Sequence, residues 1–339
     1  MEDVINLAYP HIGEQIFESI ETSKLVQCLM VSEAWKTIAE NVLFKRWRGN
    51  YIKACENGMT EIVRILLERL DRGDTELNTR DNFGQYHGSI RYEHANDKSQ
   101  WGRTAFMLAC EKGHADIVKL TLEYSVIKNI NLNAFDKYGE TGFFRAIENG
   151  QTDVVRLLLE HSAGMWNIDL KHRAIYGTTA FHKACMFGHT SVVKLLLGHS
   201  ETEQFAFNAK DQRSNPRNAF LWACYEGHLD VVKAILDHST SKNIDLNDRD
   251  NFGITGFSLA CKEGHKDVVE LLLKESVAKN IQLRTTSIHG DTPYKTAWDG
   301  GHDAVVQLLQ NSRMVDIDRK RKRVYQYTQF PSLRSFEFS

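Results

Sequence analysis

The sequence contains little proline, little net charge and no long apolar run. It has four prolines in 339 residues and a formal net charge of −2, so neither Pro-rich linkers nor a basic field that attracts nucleic acid or membranes is expected. No apolar run approaches the roughly 18 residues of a membrane-spanning helix, and the first ten residues lack the features of a secretion signal. We therefore expect a soluble intracellular protein, in the cytoplasm.

Sequence motifs of catalysis are also missing. There is no phosphate-binding GxxxxGK[ST], no GxGxxG that opens a helix, no HExxH and no GxSxG. An ATP-using or hydrolytic enzyme normally contains one of these motifs. We therefore expect no enzymatic activity, no cofactor and no metal site.

The chain does contain an internal repeat, whose commonest interval is 37 residues. The pattern Gly-His-x-Asp-Val-Val-x-Leu-Leu-Leu, or a close variant, begins at Gly58, Gly113, Gly150, Gly188, Gly227, Gly264 and Gly301. A second pattern, Gly-x-Thr followed by a small and an aromatic residue, leads most units, and Asn218-Ala219-Phe220 replaces it once. Apolar residues three and four apart predict helices with one apolar face. Because one unit cannot bury that face alone, we expect neighbouring units to stack.

These units resemble the ankyrin repeat family, whose Thr-Pro-Leu-His and Gly-His motifs appear as Thr179-Ala180-Phe181-His182 and Gly188-His189. The resemblance covers roughly residues 51–311. It implies an all-α fold, a solenoid of about seven helix-turn-helix repeats that binds proteins.

The interval of 37 residues exceeds the family's ~33 by about one helical turn. The sequence Lys-Asn-Ile recurs after the second helix, with its asparagine at positions 129, 243 and 280. Asparagine tolerates the left-handed conformation that ends many helices. We therefore predict that the second helices are one turn longer than usual and end at these asparagines.

Cysteine and histidine also follow the repeat. Five of the six cysteines occupy one slot of successive units without a CxxC pair, and five histidines follow the repeat glycine. Such periodicity favours buried, structural cysteines and histidines that hold turns, because a catalytic histidine is singular and has a distinct partner.

Residues 1–48 lack the repeat but place apolar residues at helical spacing, which predicts three short helices; they include Ile12, Ile16, Phe17, Ile20, Leu25, Cys28, Val31, Trp35, Ile38, Ala39 and Leu43. This segment resembles the F-box, a three-helix module that docks onto the Skp-type adaptor of cullin-RING ubiquitin ligases. Two features depart from that family, because Pro10 stands one place late and Lys24 replaces a common acid. The resemblance implies that adaptor contacts are made by Ile12, Ile16, Phe17, Ile20, Leu25, Val31 and Trp35.

A simpler interpretation is that these helices only cap the open end of the stack. It predicts that Ile16, Leu25 and Trp35 are buried against the first repeat, whereas the receptor interpretation predicts that part of this apolar surface is exposed.

Two regions are candidates for partner binding. The interval of 55 residues between Gly58 and Gly113 reveals an insertion at 85–102, which falls at a hairpin tip. It is either a tolerated insertion or a binding loop whose aromatic residues Tyr86, Tyr92 and Trp101 are anchors. In the ankyrin family, partners generally contact the concave face, which is made by the hairpin tips and by variable positions of the first helix. The corresponding first-helix positions here are Leu108, Arg145, Lys183, Trp222, Leu259 and Thr296. We favour Trp222, since tryptophan is enriched among hot spots; the alternative is a buried filler.

The tail, residues 313–339, contains the basic run 319–323. This run is a nuclear import signal, which would add the nucleus as a location, a weak nucleic-acid patch, or merely a solvated segment.

The sequence thus predicts three parts: an F-box-like module (1–48), an ankyrin array (49–312) and a basic tail (313–339). The predicted function is that of a substrate receptor in a cullin-RING ligase, bound to a Skp-type adaptor and to a protein substrate, and otherwise monomeric. The alternative is a non-catalytic scaffold or inhibitor whose first helices only cap the array.

Overall fold

The computed structural model describes residues 17–30, 33–71, 77, 102–162, 167–199 and 205–312. Within these ranges the protein is helical and has no strand, apart from one isolated bridge between Arg249 and Thr255. None of the helices in these ranges is long and apolar enough to cross a membrane. The helices are α1 Thr22–Cys28, α2 Glu33–Trp47, α3 Tyr51–Glu56, α4 Thr60–Arg69, α5 Ala105–Lys112, α6 Ala115–Lys128, α7 Gly142–Glu148, α8 Thr152–Glu160, α9 Ala180–Met186, α10 Thr190–Gly198, α11 Ala219–Glu226, α12 Leu229–His238, α13 Gly256–Lys262, α14 Lys266–Glu275, α15 Pro293–Asp299 and α16 Asp303–Asn311.

The chain forms two compact units, Met1–Ile175 with α1–α8 and Tyr176–Ser339 with α9–α16. In the first unit, α5 packs against α3 and α7, while α6 packs against α4 and α8. In the second unit, α9, α11, α13 and α15 pack in one row, and α10, α12, α14 and α16 in another. The stacking that the repeat predicts is therefore confirmed within each unit.

Burial follows the predicted apolar spacing. In α8, Val154, Val155 and Leu158 are buried, whereas Asp153 and Arg156 are exposed. Because the apolar residues lie three and four positions apart, they form one face toward the neighbouring helices.

In five of the seven pairs (α5, α9, α11, α13 and α15) the first helix begins at a side chain that caps it. Thr104 Oγ1 accepts a hydrogen bond from the Met107 amide (3.3 Å). Where the threonine is missing, Asn218 Oδ1 accepts from the Leu221 amide (2.9 Å). Asparagine and threonine are both favoured N-caps, which explains why Asn218 can replace threonine in the repeat.

The Gly-His step links neighbouring pairs within each unit. Gly227 ends α11 in the left-handed conformation (φ 77°). A Cβ atom there would lie 2.4 Å from the ring of His265, which belongs to the next pair. The His265 Nε2–H donates to the carbonyl of Tyr225 (2.8 Å). Equivalent bonds join His114 to Glu56, His228 to Met186 and His302 to Lys262, so the structural role predicted for the histidines is confirmed for these four.

Asparagine side chains form a second set of links. Asn208 Nδ2 donates to the Asn243 carbonyl (2.7 Å), and Asn208 Oδ1 accepts from the Asp245 amide (2.8 Å). Asn133 and Asn247 bridge to the following connecting segments in the same way. Each amide therefore pairs with the backbone of the next repeat through both its donor and its acceptor.

The predicted helix ends are partly wrong. Helix α6 does reach Lys128 and is capped by left-handed Asn129 (φ 56°). However, α12 and α14 end at His238 and Glu275, each five residues before its asparagine. Beyond these ends the backbone mixes i→i−4 bonds, such as Lys242 N to His238 O, with i→i−3 bonds, such as Asn243 N to Thr240 O, so the regular α-helical pattern stops there. Asn243 and Asn280 nevertheless have positive φ, as predicted.

The N-terminal helices pack directly on the first helix pair, because α2 lies against α4. Arg69 of α4 pairs with Glu40 (3.0 Å) and donates to Asn41 Oδ1 (2.7 Å). From α2, Arg46 donates to the carbonyls of Ile20 and Glu18, both at 2.9 Å. Helix α2 thus lies beside α4 in the row of second helices.

Candidate protein-interaction surface

In four of the turns that precede a first helix, a side-chain oxygen accepts from backbone amides of the turn, and in three of them it belongs to an aspartate. Asp136 Oδ1 accepts from the amides of Tyr138 (2.8 Å) and Glu140 (3.1 Å). Asp250 Oδ1 accepts from those of Phe252 and Ile254, both at 2.9 Å, and Asp211 and Ser287 have the same role in their turns. These bonds satisfy the backbone of an exposed turn and fix its shape.

In two of these turns the second oxygen of the aspartate accepts from the first helix. Arg145 Nε donates to Asp136 Oδ2 (2.8 Å), and Trp222 Nε1 donates to Asp211 Oδ2 (2.8 Å). Arg145 is 6% exposed and Trp222 is 8% exposed. These two candidate residues therefore connect helix and turn, and most of their surface is enclosed by the protein itself.

Arg145 is surrounded by acids. Besides Asp136, it pairs with Glu140 (3.2 Å) and Glu148 (2.6 Å). Burial alone would lower the pKa of Arg145, but the nearby carboxylates of Glu140 and Asp136 raise it above its usual value. The guanidinium stays charged, and its loss would leave buried carboxylates without their cation.

Trp222 belongs to a cluster of aromatic rings and arginines in the second unit. The Arg213 guanidinium lies 5.1 Å from the Trp222 ring and 5.8 Å from that of Tyr176. Arg217 lies 4.8 Å from the Trp222 ring and 4.0 Å from that of Tyr225. Each distance falls within the ~6 Å at which a cation is attracted to a ring face. We call these five residues the Arg-aromatic cluster.

The other candidate residues of the first helices are also largely enclosed. Leu108 and Leu259 are 1% and 0% exposed, and Lys183 is half-buried with its Nζ 5.3 Å from the Phe187 ring. Leu108 and Arg145 lie in the first unit, and Lys183, Trp222 and Leu259 in the second. The loop residues Tyr86, Tyr92 and Trp101 lie outside the described residues.

The turn tips expose apolar side chains that the sequence-based prediction missed. Tyr138, Tyr176, Phe252 and Ile288 are 37%, 54%, 45% and 66% exposed. The Tyr138 carbonyl accepts from the Ile175 amide, and the Phe252 carbonyl from the Ile288 amide, so the backbones of successive turns are linked. A signal was available, because the first three of these residues directly precede the glycine of Gly-x-Thr. Exposed aromatic residues are favoured in interfaces.

The F-box-like residues are partly buried. Phe17 and Leu25 are 4% and 0% exposed, whereas Ile20 and Trp35 are half-buried. The rings of Phe17 and Trp35 meet edge to face at 5.5 Å. Ile12, Ile16 and Val31 lie outside the described residues. Beyond the end of α1, Met30 is 89% exposed.

The repeat cysteines are enclosed, as predicted. Cys55, Cys110, Cys185, Cys224 and Cys261 are fully buried and free, while Cys28 is half-buried. Burial raises the pKa of the Cys55 thiol to about 12 and raises those of the other four. No group of His, Cys, Asp or Glu in the described part of the chain could hold a metal ion.

Comparison with known proteins establishes the family. The family model "Ankyrin repeats (3 copies)" matches residues 54–171, 164–250 and 240–321, which is more than half of the chain. The chain therefore belongs to the ankyrin repeat family. No curated protein sequence matches it.

The fold is similar to that in the crystal structure of the ankyrin repeat domain of Bcl-3, a unique member of the IkappaB protein family. The TM-score is 0.56 and the sequence identity is 22%, over 77% of this chain and 97% of that one. The likeness at this identity concerns the fold. Ankyrin repeats mediate protein–protein interaction, and proteins built from them are typically non-catalytic.

Proposed function

We propose that this protein is a substrate receptor of a cullin-RING ubiquitin ligase. In this proposal α1 and α2 contact the Skp-type adaptor, and the ankyrin array holds a protein substrate. The observation that carries it is the apolar surface left at the N-terminal helices, where Ile20 and Trp35 are half-buried and Met30 is exposed. Apolar side chains that a protein leaves in contact with water are suited to a partner.

The proposal divides the chain into an F-box-like module (1–48), seven ankyrin repeats (49–312) and a basic tail (313–339). The seven helix pairs from α3–α4 to α15–α16 support the repeat count. The ion pair between Arg69 and Glu40 supports a module fixed to the array, since a receptor must hold its substrate at a defined distance from the ligase.

The test is isothermal titration calorimetry of the purified full chain with the Skp-type adaptor. We expect Met30→Glu to weaken adaptor binding, because it places a charge in the apolar contact. Val277→Glu is the matched control, since Val277 is a similarly exposed apolar residue of the second unit (93%). Absence of adaptor binding by the folded chain, or equal weakening by both variants, would contradict the receptor role.

The alternative function is a non-catalytic scaffold or inhibitor, and two observations favour it. Helix α2 lies against α4 in the row of second helices, and Leu25 is fully buried, as expected of a cap that shields the end of a stack. In that case the chain binds its protein partner but not the adaptor, so the same titration separates the two functions.

A further inference from the structure

A buried arginine of the Arg-aromatic cluster has no acidic partner. Arg217 is 9% exposed, and its Nε atom is enclosed without a hydrogen-bond partner. No carboxylate among the described residues lies within ion-pair distance of its guanidinium. Arginine stays charged in proteins, and buried charges are ordinarily paired. Arg217 is therefore a buried cation that has no counter-ion among the described residues.

The terminal nitrogens of Arg217 are where such an anion can bind. Unlike Nε, they are not fully enclosed, and no described residue accepts a hydrogen bond from them. The guanidinium lies against the faces of Trp222 and Tyr225. Stacking on rings occupies the faces of the guanidinium and leaves its N–H groups, in its plane, free to form a two-pronged bond with a carboxylate.

A second cation borders the same ring. Arg213 lies against Trp222 from the same turn, and its side chain is 41% exposed. The cluster has one adjoining carboxylate, that of Asp211, which accepts from Trp222 Nε1 and lies 3.6 Å from Arg213 Nε. Both guanidinium groups lie against Trp222, and among the described residues only that of Arg213 has a carboxylate nearby, so the local charge is positive.

The rings at the border of the cluster are accessible to a partner. Tyr176 is 54% exposed, and Tyr225 is half-buried. Tyrosine provides contact area at low entropic cost, and Tyr176 has a left-handed backbone (φ 62°). Apolar contact area therefore surrounds the two cations.

We propose that the Arg-aromatic cluster is the point at which the array binds an acidic segment of its protein partner. A Glu or Asp carboxylate of that segment pairs with Arg217 and Arg213, and the neighbouring residues pack on Tyr176 and Tyr225. This inference rests on the proposed function in so far as the array binds a protein.

The test measures the binding of fluorescein-labelled hexaglutamate to the full chain by fluorescence anisotropy, with hexaglutamine as the neutral peptide. We expect Arg213→Gln and Arg217→Gln to weaken hexaglutamate binding by at least about tenfold, as loss of a charge-assisted bond predicts. The matched control is Arg284→Gln, because Arg284 is an exposed arginine of the same unit and its loss changes the net charge equally. Arg217→Lys keeps the charge and loses the two-pronged geometry, so intermediate weakening is expected.

Arg217 is buried, so its glutamine variant is compared only if circular dichroism shows it folded; otherwise Arg213→Gln and Arg217→Lys supply the test. Equal weakening by Arg284→Gln, or equal affinity for hexaglutamine, would overturn the proposal. So would binding of a phosphoserine peptide without binding of hexaglutamate. The Met30→Glu chain should bind hexaglutamate normally, so failure of the adaptor role and failure of this site give different results.

Discussion

At the scale of single residues, the repeat glycine meets two structural conditions that only glycine can meet together. Gly227 adopts a left-handed conformation, and the ring of His265 occupies the space where a side chain would begin. The first condition favours glycine over any L-residue by roughly 1–2 kcal/mol. The second condition means that the histidine ring of the next repeat fits only where the preceding repeat has no side chain. This explains why Gly and His recur together.

We predict that Gly227→Ala lowers the free energy of unfolding by about 2 kcal/mol or more, through backbone strain and displacement of His265. Urea denaturation followed by circular dichroism measures this. The control is Gly198→Ala, since Gly198 lies in α10 with ordinary φ and nothing within 4 Å of its added Cβ. This control should be neutral or stabilise the chain slightly.

Combining Gly227→Ala with His265→Ala separates the two causes. The double variant should lose less unfolding free energy than the sum of the losses in the two single variants. Without the His265 ring, the Cβ atom added at position 227 has no clash. Additive losses, or equal effects of the two glycine substitutions, would contradict the close contact.

At the scale of helices, the sequence predicts helix positions better than helix ends. Apolar spacing alone identifies the buried face of α8. By contrast, the same pattern Ser-x-x-Lys-Asn-Ile occurs around the ends of α6, α12 and α14, yet only α6 continues to its asparagine. The shared residues of this pattern therefore do not by themselves determine where the helix ends.

The candidate surface was less predictable than the helices. Trp222 pairs with Asp211, eleven residues earlier, and Arg145 with Asp136, nine earlier. Alignment with the ankyrin repeat pattern identified the two first-helix positions. It did not predict that their side chains would be buried and bonded to the turn aspartates. Burial of this kind depends on the path of the turn, which no periodic pattern in the sequence describes.

We predict that position 243, where an asparagine closes the last turn, tolerates substitution by glycine but not by alanine. Asn243 has φ 50°, so Asn243→Ala should cost about 1 kcal/mol of unfolding free energy, whereas Asn243→Gly should be nearly neutral. The Asn208 bridge to residue 243 uses a backbone carbonyl and persists in both variants. Equal stability of the two variants in thermal denaturation would show that the left-handed conformation has no energetic role.

At the scale of the whole molecule, the buried thiols make stability depend on pH. Their pKa values are raised in the folded chain, that of Cys55 to about 12, because burial disfavours the thiolate. The protonated thiols therefore favour folding below the unfolded pKa near 9, and this contribution is lost as pH rises through the raised values of the folded chain.

We predict that the unfolding free energy of the natural chain falls more steeply between about pH 8.5 and 10 than that of a Cys55→Ala, Cys261→Ala double variant. Each thiol with a raised pKa contributes up to about 1.4 kcal/mol per pH unit to this fall. Urea denaturation at each pH measures it. Cys28→Ala is the control, since Cys28 is only half-buried. Parallel curves for the natural chain and the double variant would contradict the raised pKa values.

The bond from a repeat histidine to the carbonyl of the preceding pair has a consequence for how such a gene can grow. The pair α11–α12 accepts one such bond from His265 and donates another through His228. A tandem duplication of one 37-residue repeat therefore inserts a unit whose two junctions are already complementary. At Gly301, by contrast, nothing lies within 4 Å of an added Cβ. Lengthening of the array by duplication of this repeat thus requires no new kind of contact at its Gly-His junctions.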